Sequence, residues 1–205
     1  MVRQSTKRKQ VSNISSGSDD DVQPKAKKKS TAFVPFDPSV PTNTTMPDTY
    51  DFLPAPPGGV KLASYNVNSL KAALRKGYSK YVEAENADVL FLQETKVNEP
   101  LSDAVDDKVY KYRYWAYEDK KGYAGTALFS KVKPSQIVYG IPGYEALTRG
   151  RVITAYFADF ILVACYVLNA GDGLKNLNTR MVFNQHMEKY LRNLQKEGKR
   201  VIWAG

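Results

Sequence analysis

Three short polar clusters, each closing an apolar run, are the residues of this sequence that could do chemistry together. Asn66 and Asn68 follow Val60-Lys61-Leu62-Ala63-Ser64-Tyr65. Gln93-Glu94-Thr95-Lys96 follows Ala87-Asp88-Val89-Leu90-Phe91-Leu92. Tyr166 and Asn169 close the run that begins at Phe160, just ahead of Gly171. A carboxylate at the mouth of a buried strand is costly unless a cation meets it, and the usual partners are a Lys or Arg side chain and a divalent metal. Taken alone, Glu94 and Lys96 read as an ion pair at a strand end, and Asn66 and Asn68 read as turn formers. Brought together, one hard carboxylate among amide oxygens is a Mg²⁺-type donor set. A phenol and an amide make a third polar strand end beside a glycine turn.

Whether the clusters meet depends on the elements that carry them. Val60–Tyr65 alternates as a strand does. Leu70, Leu74, Tyr78, Tyr81 and Val82 recur at helical spacing and predict one amphipathic helix of about four turns, with Ser69 as its N-cap. Val89–Leu92 is a second, fully apolar strand. A strand-helix-strand unit makes the two strands parallel, with their C-terminal ends on one edge, so Asn66, Asn68 and Glu94 should converge.

Downstream, residues 100–109 form a charged, partly helical connection. Tyr112–Tyr117 and Gly125–Ser130 flank Asp119-Lys120-Lys121-Gly122 as a hairpin, and Gln136–Gly140 is a short strand. Residues 152–157 and 160–167 make a second hairpin about Ala158-Asp159. Phe183, Met187, Tyr190, Leu191 and Leu194 mark a helix that Gly198 can end, and Arg200–Ala204 starts another strand. In Gly122-Tyr123-Ala124-Gly125 an aromatic sits between glycines beside two lysines; a nucleic-acid backbone surface and a plain hairpin turn fit equally. His186, the only histidine, lies inside the late helix and reads as a surface residue rather than a base.

Composition narrows the classes. The 205 residues are 42% hydrophobic and 25% charged, enough for a sizeable core in one or two domains. Cys165 is the single cysteine, so no disulfide forms within the chain, and a reducing compartment is expected. No apolar stretch is long enough for a membrane span and the N-terminus has no signal-peptide core, so no membrane association is expected. A net charge of +9 and a pI near 9.4 favour a polyanionic partner, nucleic acid first. Residues 1–59 are rich in Ser, Thr, Pro, Lys and Asp and read as a disordered basic and Pro-rich tail. Lys7-Arg8-Lys9 and Lys25-Ala26-Lys27-Lys28-Lys29 are spaced like a bipartite nuclear localisation signal, and Ser15-Ser16-Gly17-Ser18-Asp19-Asp20-Asp21 suits acidophilic kinases. Residues 60–205 are the foldable part.

Several runs carry a resemblance: Tyr65-Asn66-Val67-Asn68, Leu92-Gln93-Glu94-Thr95-Lys96, Gly122-Tyr123-Ala124-Gly125, Gly150-Arg151-Val152 and Tyr166-Val167-Leu168-Asn169-Ala170-Gly171. They occur in the order seen in Mg²⁺-dependent apurinic/apyrimidinic (AP) endonucleases of the exonuclease III type, which residues 60–205 resemble. The Gln-Glu-Thr-Lys run is shared across the wider endonuclease/exonuclease/phosphatase superfamily, whereas Tyr-x-x-Asn-Ala-Gly and its spacing from Gly-Arg-Val are more specific. The resemblance implies an α/β fold, a four-layered α/β sandwich of two packed mixed sheets flanked by helices. It implies DNA base-excision repair: hydrolysis of the phosphodiester 5′ to abasic sites in double-stranded DNA, giving 3′-OH and 5′-deoxyribose phosphate. Mg²⁺ would be the cofactor, with Mn²⁺ as the alternative, and 3′-exonuclease or phosphodiesterase activity would accompany it.

By that resemblance Glu94, Tyr166 and Asn169 form the catalytic set: metal-binding carboxylate, active-site tyrosine and phosphate-contacting amide. Asn66 joins Glu94 at the metal, Asn68 and Lys96 support the site, and Arg151, Tyr123 and Gly125 contact DNA. A monomer is expected, carried by a nuclear import receptor to the nucleus, with mitochondria as a second destination.

The chain also departs from the family. Ser69 replaces a usual glycine, and Asp172 stands where some relatives place an arginine that enters the DNA groove. Relatives continue from a strand like Val201–Gly205 into Asp-x-Asn and a later Asp and His that activate water. The expectation is therefore an incomplete domain, truncated after roughly its first half to two-thirds, which alone is inactive and unstable. Two alternatives stay open: another phosphoesterase of the superfamily, acting on lipid or nucleotide phosphates, and a non-catalytic DNA-binding or interaction protein.

Overall fold

The opening strand-helix-strand unit sets the frame. β1 (Leu62–Asn66) and β2 (Val89–Gln93) pair in parallel, from Leu62 opposite Val89 to Asn66 opposite Gln93. This is a computed structural model, and it describes Pro47 and residues 49–205. The two basic clusters and the serine-rich stretch of the tail lie outside the described residues.

Between β1 and β2 the expected single helix is two, α1 (Leu70–Arg75) and α2 (Tyr78–Glu85). Gly77 separates them at φ 92°, ψ 23°, a left-handed conformation that a right-handed helix cannot pass through. The apolar period survives the break, because Leu70, Ala73, Tyr78 and Val82 all bury against one sheet. Ser69 caps α1 as expected, its hydroxyl accepting from the Ala72 N–H.

β3 (Tyr112–Ala116) and β4 (Thr126–Ser130) form the first expected hairpin, and β4 also lies antiparallel to β2, giving the order β1-β2-β4-β3. The charged connection before β3 holds one 3₁₀ turn, Ser102–Ala104. The second sheet has the order β5-β6-β7-β8, from β5 (Gln136–Tyr139), β6 (Val152–Tyr156), β7 (Phe160–Cys165) and β8 (Arg200–Ala204). Its β6–β7 hairpin is antiparallel and β8 joins β7 in parallel. α3 (Glu145–Thr148) is one turn, and α4 (Leu177–Gln195) begins well before Phe183, with Leu177 and Met181 exposed on its first turns.

Three apolar clusters define the layers. One joins α1 and α2 to the first sheet through Leu90, Leu92 and Phe129. One lies between the sheets, with Phe91 and Leu128 meeting Ile153 and Leu162. One joins the second sheet to α4, with Val163 and Cys165 against Phe183, Met187 and Leu194. This is the helix-sheet-sheet-helix sandwich expected. β2 and β4 are buried along their whole length, which explains the unbroken apolar run of β2. Cys165 is fully buried, and burial pushes its thiol pKa up to about 12.

At one rim of the first sheet Asn66, Gln93, Thr126 and Ala116 form a row across the four strands. In the second sheet Val152 faces Cys165 at the matching rim. Hence the C-terminal ends of β1, β2 and β7 share an edge with the start of β6.

Part of the expected spacer is packed. The Tyr50 and Phe52 rings stack at 5.3 Å, and both meet Tyr81 of α2 edge-on, at 6.1 and 5.7 Å. On the far flank β8 leaves Ile202 and Trp203 exposed beside its single neighbour β7. Among the described residues no helix is long and apolar enough to cross a membrane.

Candidate active site

The chain turns sharply where β2 ends, and the turn aims Glu94. Glu94 and Lys96 have φ of 52° and 53°, a region that costs a non-glycine residue roughly 1–3 kcal/mol unless its surroundings enforce it. The surroundings are two flanking loops. Thr95 N–H donates to Gly125 O at 3.0 Å and Lys96 N–H to Ala124 O at 2.9 Å. On the other side Ser69 N–H donates to Glu94 O at 2.8 Å and Leu70 N–H to Thr95 O at 3.0 Å. The strand pairing is thus carried past the strand ends, and the turn at Glu94 is held by backbone hydrogen bonds.

Side chains then engage both carboxylate oxygens. Asn66 Nδ2 donates to Glu94 Oε1 at 3.0 Å, and Lys96 Nζ lies 3.1 Å from Oε2. Lys96 Nζ also donates to Asn68 Oδ1, and the Asn68 N–H donates to Asn66 Oδ1 at 3.1 Å. The first two clusters, with Asn66, Asn68 and Glu94, converge as the strand-helix-strand reading expected. Partial burial by itself would raise the Glu94 pKa. The polar contacts from Asn66, Lys96 and Tyr166, together with the Lys96 charge, outweigh it and hold the carboxyl below its ordinary range.

Tyr166, the residue after β7, faces the same carboxylate, anchored by its N–H donating to Arg151 O at 2.7 Å. Burial raises its pKa first, and the nearby Glu94 adds to that; Arg151 opposes both. The phenol is therefore a neutral proton donor at ordinary pH rather than a base. The Arg151 guanidinium lies 4.9 Å from the Tyr166 ring and 5.5 Å from the Tyr123 ring, and donates to Tyr123 Oη at 3.2 Å. Tyr123 stays 46% exposed, and Lys120 Nζ lies 5.1 Å over its ring. Asn169 is exposed; its Oδ1 accepts from the Gly171 N–H at 2.6 Å, which leaves its Nδ2 as the group able to donate outward.

Among the described residues no three His, Cys, Asp or Glu side chains gather in one place. Glu94 is the one carboxylate here, with a lone pair to spare on each oxygen and a partly open face. That suits a hard cation that keeps several waters and takes further oxygens from a bound phosphate, as Mg²⁺ does.

A family model described as the endonuclease/exonuclease/phosphatase family matches residues 63–205. The chain belongs to that family. It is 39% identical over 147 residues to an exodeoxyribonuclease of Bacillus subtilis, covering 71% of this chain and 57% of that one. It is 40% identical over 149 residues to a DNA-(apurinic or apyrimidinic site) endonuclease of Dictyostelium discoideum, covering 71% of this chain and 41% of the relative. Among solved structures, an AP endonuclease from Leishmania major superposes with a TM-score of 0.57 at 28% identity, covering 71% of this chain and 54% of that one. The chain spans about half the length of the relatives it matches. These relatives are nucleases by name, in keeping with the expected place in DNA repair.

Within this member of the family several expected residues take other places. Gly125, expected as a DNA contact, is buried, and a Cβ added to it would lie 2.5 Å from Thr95 Oγ1. With φ at 84° it is a packing position under the Glu94 turn. Arg151 was also expected at the DNA, yet it is only 3% exposed and braces two tyrosine rings. Asn66 turns its amide nitrogen, not its oxygen, to Glu94; here it orients the carboxylate, and ligation would need the amide reversed.

Two residues escaped the sequence reading. Asn98 Nδ2 donates to Glu118 O at 2.9 Å and its Oδ1 accepts from the Gly122 N–H at 3.3 Å, tying the Tyr123 turn to the Lys96 loop. Arg180 Nη1 donates to Leu168 O at 2.7 Å and holds the Asn169 loop from α4. No spacing signals Asn98; Arg180, an arginine on an otherwise regular helix at the loop's base, offered a faint one.

Proposed function

We propose that this chain carries the metal- and phosphate-binding half of a DNA repair nuclease that cuts the phosphodiester 5′ to abasic sites, leaving 3′-OH and 5′-deoxyribose phosphate. The observation that carries the reading is Glu94, held ionised between Asn66 and Lys96 with the Tyr166 hydroxyl facing it. Mg²⁺, with Mn²⁺ as substitute, would bind Glu94 and neutralise charge developing on the phosphate. Tyr166 donates a hydrogen bond to a non-bridging oxygen, and Asn169 Nδ2 donates another from the same loop. Lys96 keeps Glu94 ionised, and Arg151 fixes the angle of Tyr166. Tyr123 with Lys120 meets the backbone of double-stranded DNA. The basic clusters of the tail fit a nuclear import receptor, and the nucleus is the proposed location.

The test is cleavage of a duplex bearing one abasic-site analogue, with and without Mg²⁺, by the 205-residue chain and its Glu94→Gln and Tyr166→Phe variants. Mg²⁺-dependent cutting lost in both variants supports the reading; cutting of phosphoinositides or nucleotides instead would move the chain to another branch of the family.

A second reading is favoured by His186. It stacks on Tyr144 with ring centroids 3.5 Å apart, and no group of three His, Cys, Asp or Glu side chains gathers among the described residues. The described residues offer no base for the attacking water. The chain by itself then binds abasic DNA without cutting it, and metal-independent binding with no cleavage would identify that case.

A further inference from the structure

A shallow cavity of 330 Å³ opens beside the candidate active site, and the mechanism above does not use it. Trp115, Tyr117 and Tyr139 supply its aromatic walls, with Arg149 and Glu145 at the rim. Trp115 and Tyr117 stack with planes 17° apart, and Tyr139 is 48% exposed. The Tyr117 hydroxyl is buried without a hydrogen-bond partner, and burial pushes its pKa up to about 12. With under 1 Å² of accessible surface, that hydroxyl lies beneath the cavity wall and not on its open face.

Charge argues against a phosphate here. Arg149 is already paired with Asp119, and Glu145 adds a second carboxylate, so the rim has no free cation among the described residues. Flat aromatic walls and a rim without a free cation suit an uncharged planar heterocycle. Position argues for nucleic acid. Gly150 lines the cavity and Arg151, next in the chain, braces Tyr123. Ala116 lies in the same row of strand ends as Gln93, two strands away through Thr126. Two strand spacings are about 10 Å, roughly three base steps at ~3.4 Å each.

We infer that the Trp115–Tyr117–Tyr139 cavity is a stacking site for an unpaired nucleobase about three nucleotides from the scissile phosphodiester. The inference rests on the nucleic-acid reading of Glu94 and Tyr166, and it makes frayed or gapped DNA a better ligand than a fully paired duplex.

The test uses the 205-residue chain in EDTA, with duplexes that carry one abasic-site analogue to set the register. An unpaired 2-aminopurine is placed one to five nucleotides from the analogue, and its fluorescence reports stacking. Quenching should peak near the third position. Tyr139→Ala, at an exposed side chain, should abolish the quench and weaken binding of the frayed duplex about five- to a hundredfold. Binding of the fully paired duplex should not change. If the paired duplex binds through Lys120 and Tyr123 while 2-aminopurine stays bright everywhere, or if Tyr139→Ala keeps the quench, the stacking site is overturned and the nuclease reading survives. If neither duplex binds, both fall.

Discussion

Two loops meet over the candidate site, and they are built in opposite ways. The turn from Gln93 to Lys96 is fastened on both sides by backbone hydrogen bonds, and two of its residues are held at positive φ. The loop from Tyr166 to Gly171 is exposed at Asn169 and rests on local contacts: the Asn169–Gly171 turn, the Asn176 N–H donating to Ala170 O at 2.7 Å, and Arg180. The first loop spends conformational strain to fix one carboxylate. The second has its phenol set by Arg151 but leaves the Asn169 amide free to settle on a ligand. A site that binds a hard cation needs the first kind of precision, and one that accepts a large polyanion gains from the second.

Substitutions can break this contrast. The largest effect is expected at Gly125, where positive φ and the approach to Thr95 Oγ1 act together. Gly125→Val should destabilise the chain by roughly 3 kcal/mol or more in urea unfolding. Adding Thr95→Ala to Gly125→Ala should recover part of the loss; no recovery would mean that Thr95 is not the obstacle.

Next comes Glu94→Gln. It keeps the shape and removes the charge, so Mn²⁺ affinity by calorimetry should fall on the order of a hundredfold. Unfolding stability should shift by about 1 kcal/mol or less, because the turn is held by its backbone.

On the looser side, Arg180→Ala should lower stability by about 1 kcal/mol and raise hydrogen exchange across residues 168–171, leaving residues 93–96 protected.

Acid sharpens the comparison further. The Glu94 carboxyl titrates below its ordinary value of 4.5 in the folded chain. Its contribution to stability is therefore complete above that ordinary value and is lost as pH falls through the lower folded pKa. The stability gap between wild type and Glu94→Gln should be flat above about pH 5 and narrow below it. A gap that widens in acid would reverse the sign of the assigned shift. Smallest of all, Asn169→Ala should change stability by no more than about 0.5 kcal/mol while weakening DNA binding.

The contrast also explains what could be read from the sequence. Strand alternation, the hairpin turns and the parallel pairing of β1 with β2 depend on neighbours in the chain, and each was legible. So was the meeting of Asn66, Asn68 and Glu94, since parallel strands leave their ends little choice of edge. The break at Gly77 was hidden because the apolar period runs straight through it. Packing of Tyr50 and Phe52 on Tyr81 was hidden by the proline-rich composition around them. The left-handed turn at Glu94 was not legible at all. It exists because Ala124 and Gly125, about thirty residues later, accept hydrogen bonds from it. Arg151 misled for a related reason: an arginine at a strand start looks like a free cation until two rings from remote loops close over it.

The single cysteine offers a use of its own. Cys165 sits between the second sheet and α4, with its thiol pKa pushed to about 12, so a thiol reagent meets almost no thiolate and no path to it in the folded state. Modification must wait for α4 to lift or for the whole chain to open. The rate of alkylation in native buffer is then a clock for that opening, read one molecule at a time by mass. It would show whether the α4 side of the sandwich breathes independently of the side that carries Glu94.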